Sequence, residues 1–155
     1  MTRDDIDMQD LYRELILDHS RSPRHFGKLE NATHTADGIN PLCGDKLKVY
    51  VRVGTYGDIE SAYFEGSGCA ISVASASLMT DTVTGLQVDK AEACCEGITN
   101  RLTDRGPGEV PGIDLQKLRA LDGVRQFPAR VKCATLAWHA LQAALSNETA
   151  PATTE

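Results

Sequence analysis

Three of the five cysteines sit in short motifs that present a thiol: Asn40-Pro41-Leu42-Cys43-Gly44-Asp45, Gly66-Ser67-Gly68-Cys69 and Arg130-Val131-Lys132-Cys133. None is near another along the chain, so they act together only where the fold gathers them. The stretch between the first two bears on that. Residues 46–53 and 59–65 alternate apolar with polar side chains and flank the turn-rich Gly54-Thr55-Tyr56-Gly57-Asp58, the pattern of a β-hairpin. With the turn centred on Tyr56, residues facing each other carry numbers that sum to 112, and Cys43 with Cys69 meets that condition. The two thiols are then expected side by side where the strands open out, with Asp45 pointing to the same side as Cys43.

Each motif also has a local reason to favour thiolate. Gly68 lets the backbone turn sharply before Cys69, and a helix start behind it supplies unpaired N–H groups and positive potential. Cys133 falls in the second turn of a helix beside Arg130 and Lys132, which are expected to lower its pKa. Cys43 lies between Pro41 and Gly44 in a shaped, accessible loop. Three thiolates and one carboxylate suit a tetrahedral Zn²⁺ with Zn–S near ~2.3 Å. A carboxylate corner is harder and more easily exchanged than a fourth thiolate, so such a site protects nucleophilic thiols yet leaves them available for sulfur transfer. Asp45 also has the type and position of an ordinary turn residue.

The remaining chemistry-bearing residues read as structural. Ala91, Cys95, Ile98 and Leu102 make one helical face, which places Cys94 and Cys95 with the core. His19, His25, His34 and His139 show no ligand spacing, and none is nominated as the base of a cysteine protease. Gly66-Ser67-Gly68 lacks the following Gly-Lys-Ser/Thr of a phosphate loop.

The elements that must position the cysteines follow from pattern. Met8, Leu11, Tyr12, Leu15 and Ile16 mark an amphipathic helix that stops before Pro23, with Asp4, Asp5 and Asp7 at its positive end. An extended segment over residues 33–39 precedes the hairpin. The small-residue run 70–79 reads as a buried helix packed closely on the sheet and ending by Gly85. Further helices are expected over 89–102, over 115–121 and, opening on Pro128, to about residue 146. The Gly/Pro-rich stretch 104–112 is a loop. The expected architecture is α+β, a small antiparallel three-stranded β-sheet packed against several α-helices. One domain spans residues 1–146, followed by a solvated, disordered tail over 147–155.

The 155 residues suffice for one domain with a sizeable core. A net charge of -6 and the lack of a Lys/Arg block argue against nucleic acid or an anionic membrane as partner. With no secretory signal pattern and no apolar run of ~20 residues, the chain is expected to be soluble and cytoplasmic, where its cysteines stay reduced.

The three cysteine motifs, with Leu11-Tyr12, Leu17-Asp18-His19, Ser22-Pro23-Arg24, Ala70-Ile71-Ser72 and Ala134-Thr135-Leu136-Ala137-Trp138, resemble the IscU/NifU-type iron–sulfur assembly proteins from about residue 8 to 146. That family has an α+β fold with helices covering a small antiparallel sheet. Scaffold members carry a His immediately before the third cysteine, where this chain has Lys132. They also lack the insertion found here over residues 103–117. Both features resemble the SufU branch, whose members bind zinc through three Cys and one Asp and work with the PLP-dependent cysteine desulfurase SufS. The resemblance implies that Cys43, Asp45, Cys69 and Cys133 ligate zinc and that Arg130 helps dispose the site around Cys133. It further implies that Cys43 accepts persulfide sulfur, freed when docking moves zinc onto a histidine of the desulfurase, and passes it to the downstream Suf iron–sulfur scaffold complex. A protonated Lys132 cannot ligate a metal, which favours transfer over the alternative, a scaffold on which the same thiolates build a [2Fe–2S] cluster. A non-catalytic zinc module that regulates a partner is the third reading.

Overall fold

The computed structural model describes residues 3–147 and 150–154, with side chains from Asp10 onward. Helix α1 (Arg3–Arg21) stops two residues before Pro23, and β1 (His34–Asn40), β2 (Asp45–Val53) and β3 (Ile59–Ser67) follow. Then come α2 (Ala70–Val83), α3 (Val88–Leu102), a 3-10 segment (Gln116–Val124), α4 (Pro128–Leu145) and β4 (Ala152–Thr153). Among the described residues no helix is long and apolar enough to cross a membrane.

The α+β class holds, but the sheet differs from the expected three antiparallel strands. It has four strands in the order β3-β2-β1-β4, and β4 runs parallel to β1. The fourth strand comes from the segment expected to be tail. A bare β1 edge presents unpaired N–H and C=O groups, and Ala152 and Thr153 pair there with Gly38 and Ile39. Two residues are too few to carry a period-2 signal, which is why the pattern missed them. Residues 148, 149 and 155 of that expected tail lie outside the described residues.

The hairpin register is also one residue off expectation. Lys46 faces Ser67 and Val51 faces Ala62, so facing numbers sum to 113 until a bulge between Arg52 and Val53 shifts the pairing to Val53 opposite Ile59. A bulge places two residues of one strand against one of the other. Cys43 therefore does not face Cys69 across a ladder. It lies in the turn 41–44 that joins β1 to β2, and Cys69 caps the start of α2.

One sheet face carries Leu47, Val49, Val51, Ala62 and Phe64 into the core, where they meet α2 and α4. The small residues of α2 allow that approach: Ser72, Ala74, Ser75, Ala76 and Ser77 are all buried, with α1 and α4 packed against the helix. Its buried hydroxyls are satisfied, Trp138 Nε1 donating to Ser75 Oγ at 3.1 Å. Gly38 lets α4 close on β1, since a Cβ there would stand 3.1 Å from Ala140 Cβ. Cys94 and Cys95 are buried in α3 with Ala91, Ile98 and Leu102, and burial pushes the Cys94 thiol up to about 11.

His19, 2% exposed, belongs to the core rather than to a site, its Nδ1 lying 2.6 Å from Ser77 Oγ. Burial, foremost, and the nearby Arg24 hold its pKa below 6.5. Between the folded value and 6.5 the unfolded chain binds the extra proton, so this stability is complete above about pH 6.5 and is lost as pH falls through the folded value. Denaturant midpoints measured from pH 7.5 down to 5.5 are expected to decline, and to decline less in His19→Gln, which keeps a partner for Ser77. Equal slopes would refute the assignment. Gly66 sits at φ +134°, and a Cβ there would come 2.1 Å from the Lys46 carbonyl oxygen. Gly66→Ala is expected to cost about 3 kcal/mol by chemical denaturation.

Candidate metal centre

Asp45 opens β2 with its side chain 1% exposed, and everything at the site is arranged around its carboxylate. The Cys69 backbone N–H donates to Oδ1 at 2.9 Å, while Ser72 Oγ and Asn40 Nδ2 donate to Oδ2 at 2.8 and 3.3 Å. Burial pushes its pKa up, but hydrogen bonds from Cys69, Ser72, Cys133 and Asn40 together outweigh it and hold the group below 3.8. Space for the carboxylate depends on Gly68, where a Cβ would stand 2.8 Å from Oδ1.

Around this anion three ligand atoms converge. Cys43 Sγ, an Asp45 carboxylate oxygen and Cys133 Sγ all lie within 4.8 Å of one another. The two sulfurs are 3.6 Å apart. Cys43 is exposed on its turn, which closes through a Gly44 N–H to Asn40 carbonyl bond of 2.9 Å with Gly44 at φ +74°. Cys133, by contrast, is buried in α4.

Cys69 stands outside that three-atom group. It is exposed at the N-cap of α2, with its sulfur 3.6 Å from Ser72 Oγ. It nevertheless interacts with the Cys133 thiol. Burial first, then hydrogen bonding with Asp45, Cys69 and Cys43, pushes Cys133 well above 9. The expectation that Arg130 and Lys132 lower this pKa is therefore overturned. Arg130 is exposed, with its guanidinium 4.6 Å from the centre of the Phe127 ring. Lys132 turns to another surface, lining a depression with Thr103, Arg105, Thr135 and His139. Helical geometry explains Lys132, since a residue one position before Cys133 points to a different face; Arg130, three before, is drawn instead onto the Phe127 ring.

Two participants escaped the sequence reading. Asn40 and Ser72 were visible only as motif letters, yet both bond Asp45. The usable signals were Ser72 three residues after the N-cap, where a side chain faces the helix start, and Asn40 one residue from a turn that brings it opposite Asp45.

The NifU-like N terminal domain family matches residues 11–134. The zinc-dependent sulfurtransferase SufU of Bacillus subtilis is 42% identical over 139 residues, which cover 89% of this chain and 91% of its own. The iron–sulfur cluster assembly scaffold protein IscU of Thermotoga maritima is 38% identical, over 91% of this chain and 96% of its own. Among solved structures, a protein from Fervidobacterium islandicum described as an iron–sulfur cluster assembly scaffold for the SUF system superposes with a TM-score of 0.77. It is 32% identical over 85% of this chain and 94% of its own. The chain belongs to the NifU-like N-terminal domain family.

Ser72→Ala removes a hydroxyl donor to a buried carboxylate, and metal-free protein is expected to lose about 2 kcal/mol in urea unfolding. A change below about 0.5 kcal/mol, the level of an ordinary surface substitution, would show that the bond does not hold Asp45.

Proposed function

We propose that this member of the NifU-like N-terminal domain family is a zinc-dependent sulfurtransferase of iron–sulfur cluster assembly in the cytoplasm. It takes persulfide sulfur from a pyridoxal phosphate-dependent cysteine desulfurase of the SufS type at Cys43 and passes it to the downstream Suf scaffold complex. The observation that carries this reading is the exposure of Cys43 in a cluster whose other two members, Asp45 and Cys133, are buried. Support also comes from the name of the 42% identical Bacillus protein.

The donors fit zinc. A tetrahedral ion with Zn–S of ~2.3 Å sets its ligand atoms about 3.8 Å apart. The 3.6 Å between the Cys43 and Cys133 sulfurs is close to that edge. Cys43, Asp45 and Cys133 would hold the ion with Cys69 as fourth ligand, brought in by rotation of its exposed side chain. When bound, zinc supplies the charge that keeps these thiols deprotonated, which burial alone opposes at Cys133.

The transfer step needs no outside oxidant. The Cys43 thiolate attacks the terminal sulfur of the desulfurase persulfide, forming a new S–S bond on Cys43. The donor's S–S bond breaks, and its cysteine leaves as thiolate with the electron pair. Asp45 and Cys133 stay in place while the turn 41–44 presents Cys43 outward.

The scaffold reading draws on the 38% identical Thermotoga protein, since the same thiolates could hold a [2Fe–2S] cluster. Alanine formation from cysteine by the cognate desulfurase separates the alternatives. Wild type is expected to stimulate it strongly and Cys43→Ala to lose at least tenfold of that stimulation. Stimulation by both proteins would indicate a regulatory zinc module. Little stimulation by wild type, with iron and acid-labile sulfide retained after anaerobic reconstitution, would indicate the scaffold. Isolated wild type is also expected to carry about one zinc per chain, and Asp45→Ala to carry markedly less by elemental analysis.

A further inference from the structure

Asn40 is wholly buried at the end of β1 and is not a metal ligand in the reading above. Its amide nitrogen donates to Asp45 Oδ2 at 3.3 Å and to Cys133 Sγ at 3.5 Å. An amide has two N–H groups, and here each has one acceptor. The amide orientation follows from those acceptors, because a carboxylate oxygen facing it calls for N–H rather than C=O. The other end of the amide is unsatisfied: Oδ1 is buried with no hydrogen-bond partner among the described residues. A buried carbonyl without a donor works against folding, so this end of the side chain gives no reason for an asparagine here. The reason for asparagine lies in what its nitrogen holds.

Two further bonds sharpen this. The Asn40 backbone carbonyl accepts the Gly44 N–H that closes the turn carrying Cys43. Ser72 Oγ joins Asn40 on Asp45 Oδ2 and also reaches the Cys133 carbonyl oxygen at 3.4 Å. Asn40 thus ties the Asp45 carboxylate to the Cys133 sulfur, while Cys43 receives neither Asn40 N–H and is met only by the Cys133 thiol at 3.6 Å.

We infer that Asn40 is a positioning residue that fixes two of the four donors, Asp45 and Cys133, and holds neither Cys69 nor Cys43, the donor free to leave. It acts through Asp45 and Cys133 and touches no reacting atom. Removing its amide leaves the chain folded, at a cost in stability no larger than that of Ser72→Ala, and loosens the pair, so that the site binds its metal less tightly. The inference rests on the metal reading proposed above.

The test compares full-length wild type, Asn40→Ala and Asn40→Leu, each stripped of metal. Asn40→Leu keeps much of the shape and offers no N–H. Three readouts are taken: thermal midpoint of the metal-free protein, zinc affinity by chelator competition, and the visible absorption of the Co²⁺-substituted protein. Both variants are expected to melt within a few degrees of wild type and bind zinc about 10- to 100-fold more weakly, with shifted cobalt bands. Wild-type affinity in either folded variant overturns the inference. So does a fall in metal-free melting that tracks the loss of affinity, or failure of both variants to fold, since each marks a purely structural residue. Wild type that takes up neither zinc nor cobalt would instead refute the metal reading itself.

Discussion

A carboxylate buried at the junction of four elements sets the terms for the rest of this molecule. Asp45 is removed from water and held ionised, which is tolerable only with hydrogen bonds that replace its hydration. Those bonds come from the end of β1 through Asn40 and from the start of α2 through Cys69 and Ser72, with Cys133 of α4 alongside. Each element is thereby fixed relative to β2. The glycine at 68 is a consequence, since a Cβ there would stand 2.8 Å from Asp45 Oδ1 and separate the helix start from the carboxylate.

The same arrangement produces an unequal set of sulfurs. Cys133 is buried and its thiol strongly disfavours ionisation, Cys69 sits at a helix start, and Cys43 rides on an exposed turn closed by one backbone bond. In the function proposed above, a thiol that meets a partner's persulfide has to be accessible, and a centre that keeps its metal has to hold some donors fixed. Placing Cys43 on the turn and Asp45 at the strand start, two residues apart, satisfies both demands within one motif.

Most of the architecture was legible because its signals are periodic. The alternation in β2 and β3, the small-residue run of α2 and the Pro128 start of α4 all describe what the chain does. Cys43 and Cys69 would face each other only across an unbroken ladder, whereas a bulge after Arg52 moves the register by one, and Cys43 lies off the strand altogether. A bulge has no periodic signature, so counting from the turn cannot detect it. Adjacency in sequence does not place Lys132 at the site, because consecutive helical residues point in different directions, and Arg130 is held on the Phe127 ring instead.

Residue types and motif order determined the chemistry available to this chain: three thiols and a carboxylate in glycine-flanked turns, and core roles for Cys94 and Cys95. These are properties of single residues and their immediate neighbours, so the chain carries them without its fold. Tertiary structure alone decided which donors meet, which sulfur is exposed and which polar residues hold the carboxylate. It also decided that a two-residue strand completes the sheet at β1. Those outcomes depend on distances between atoms up to 93 positions apart, as between Asn40 and Cys133, and only packing sets such distances.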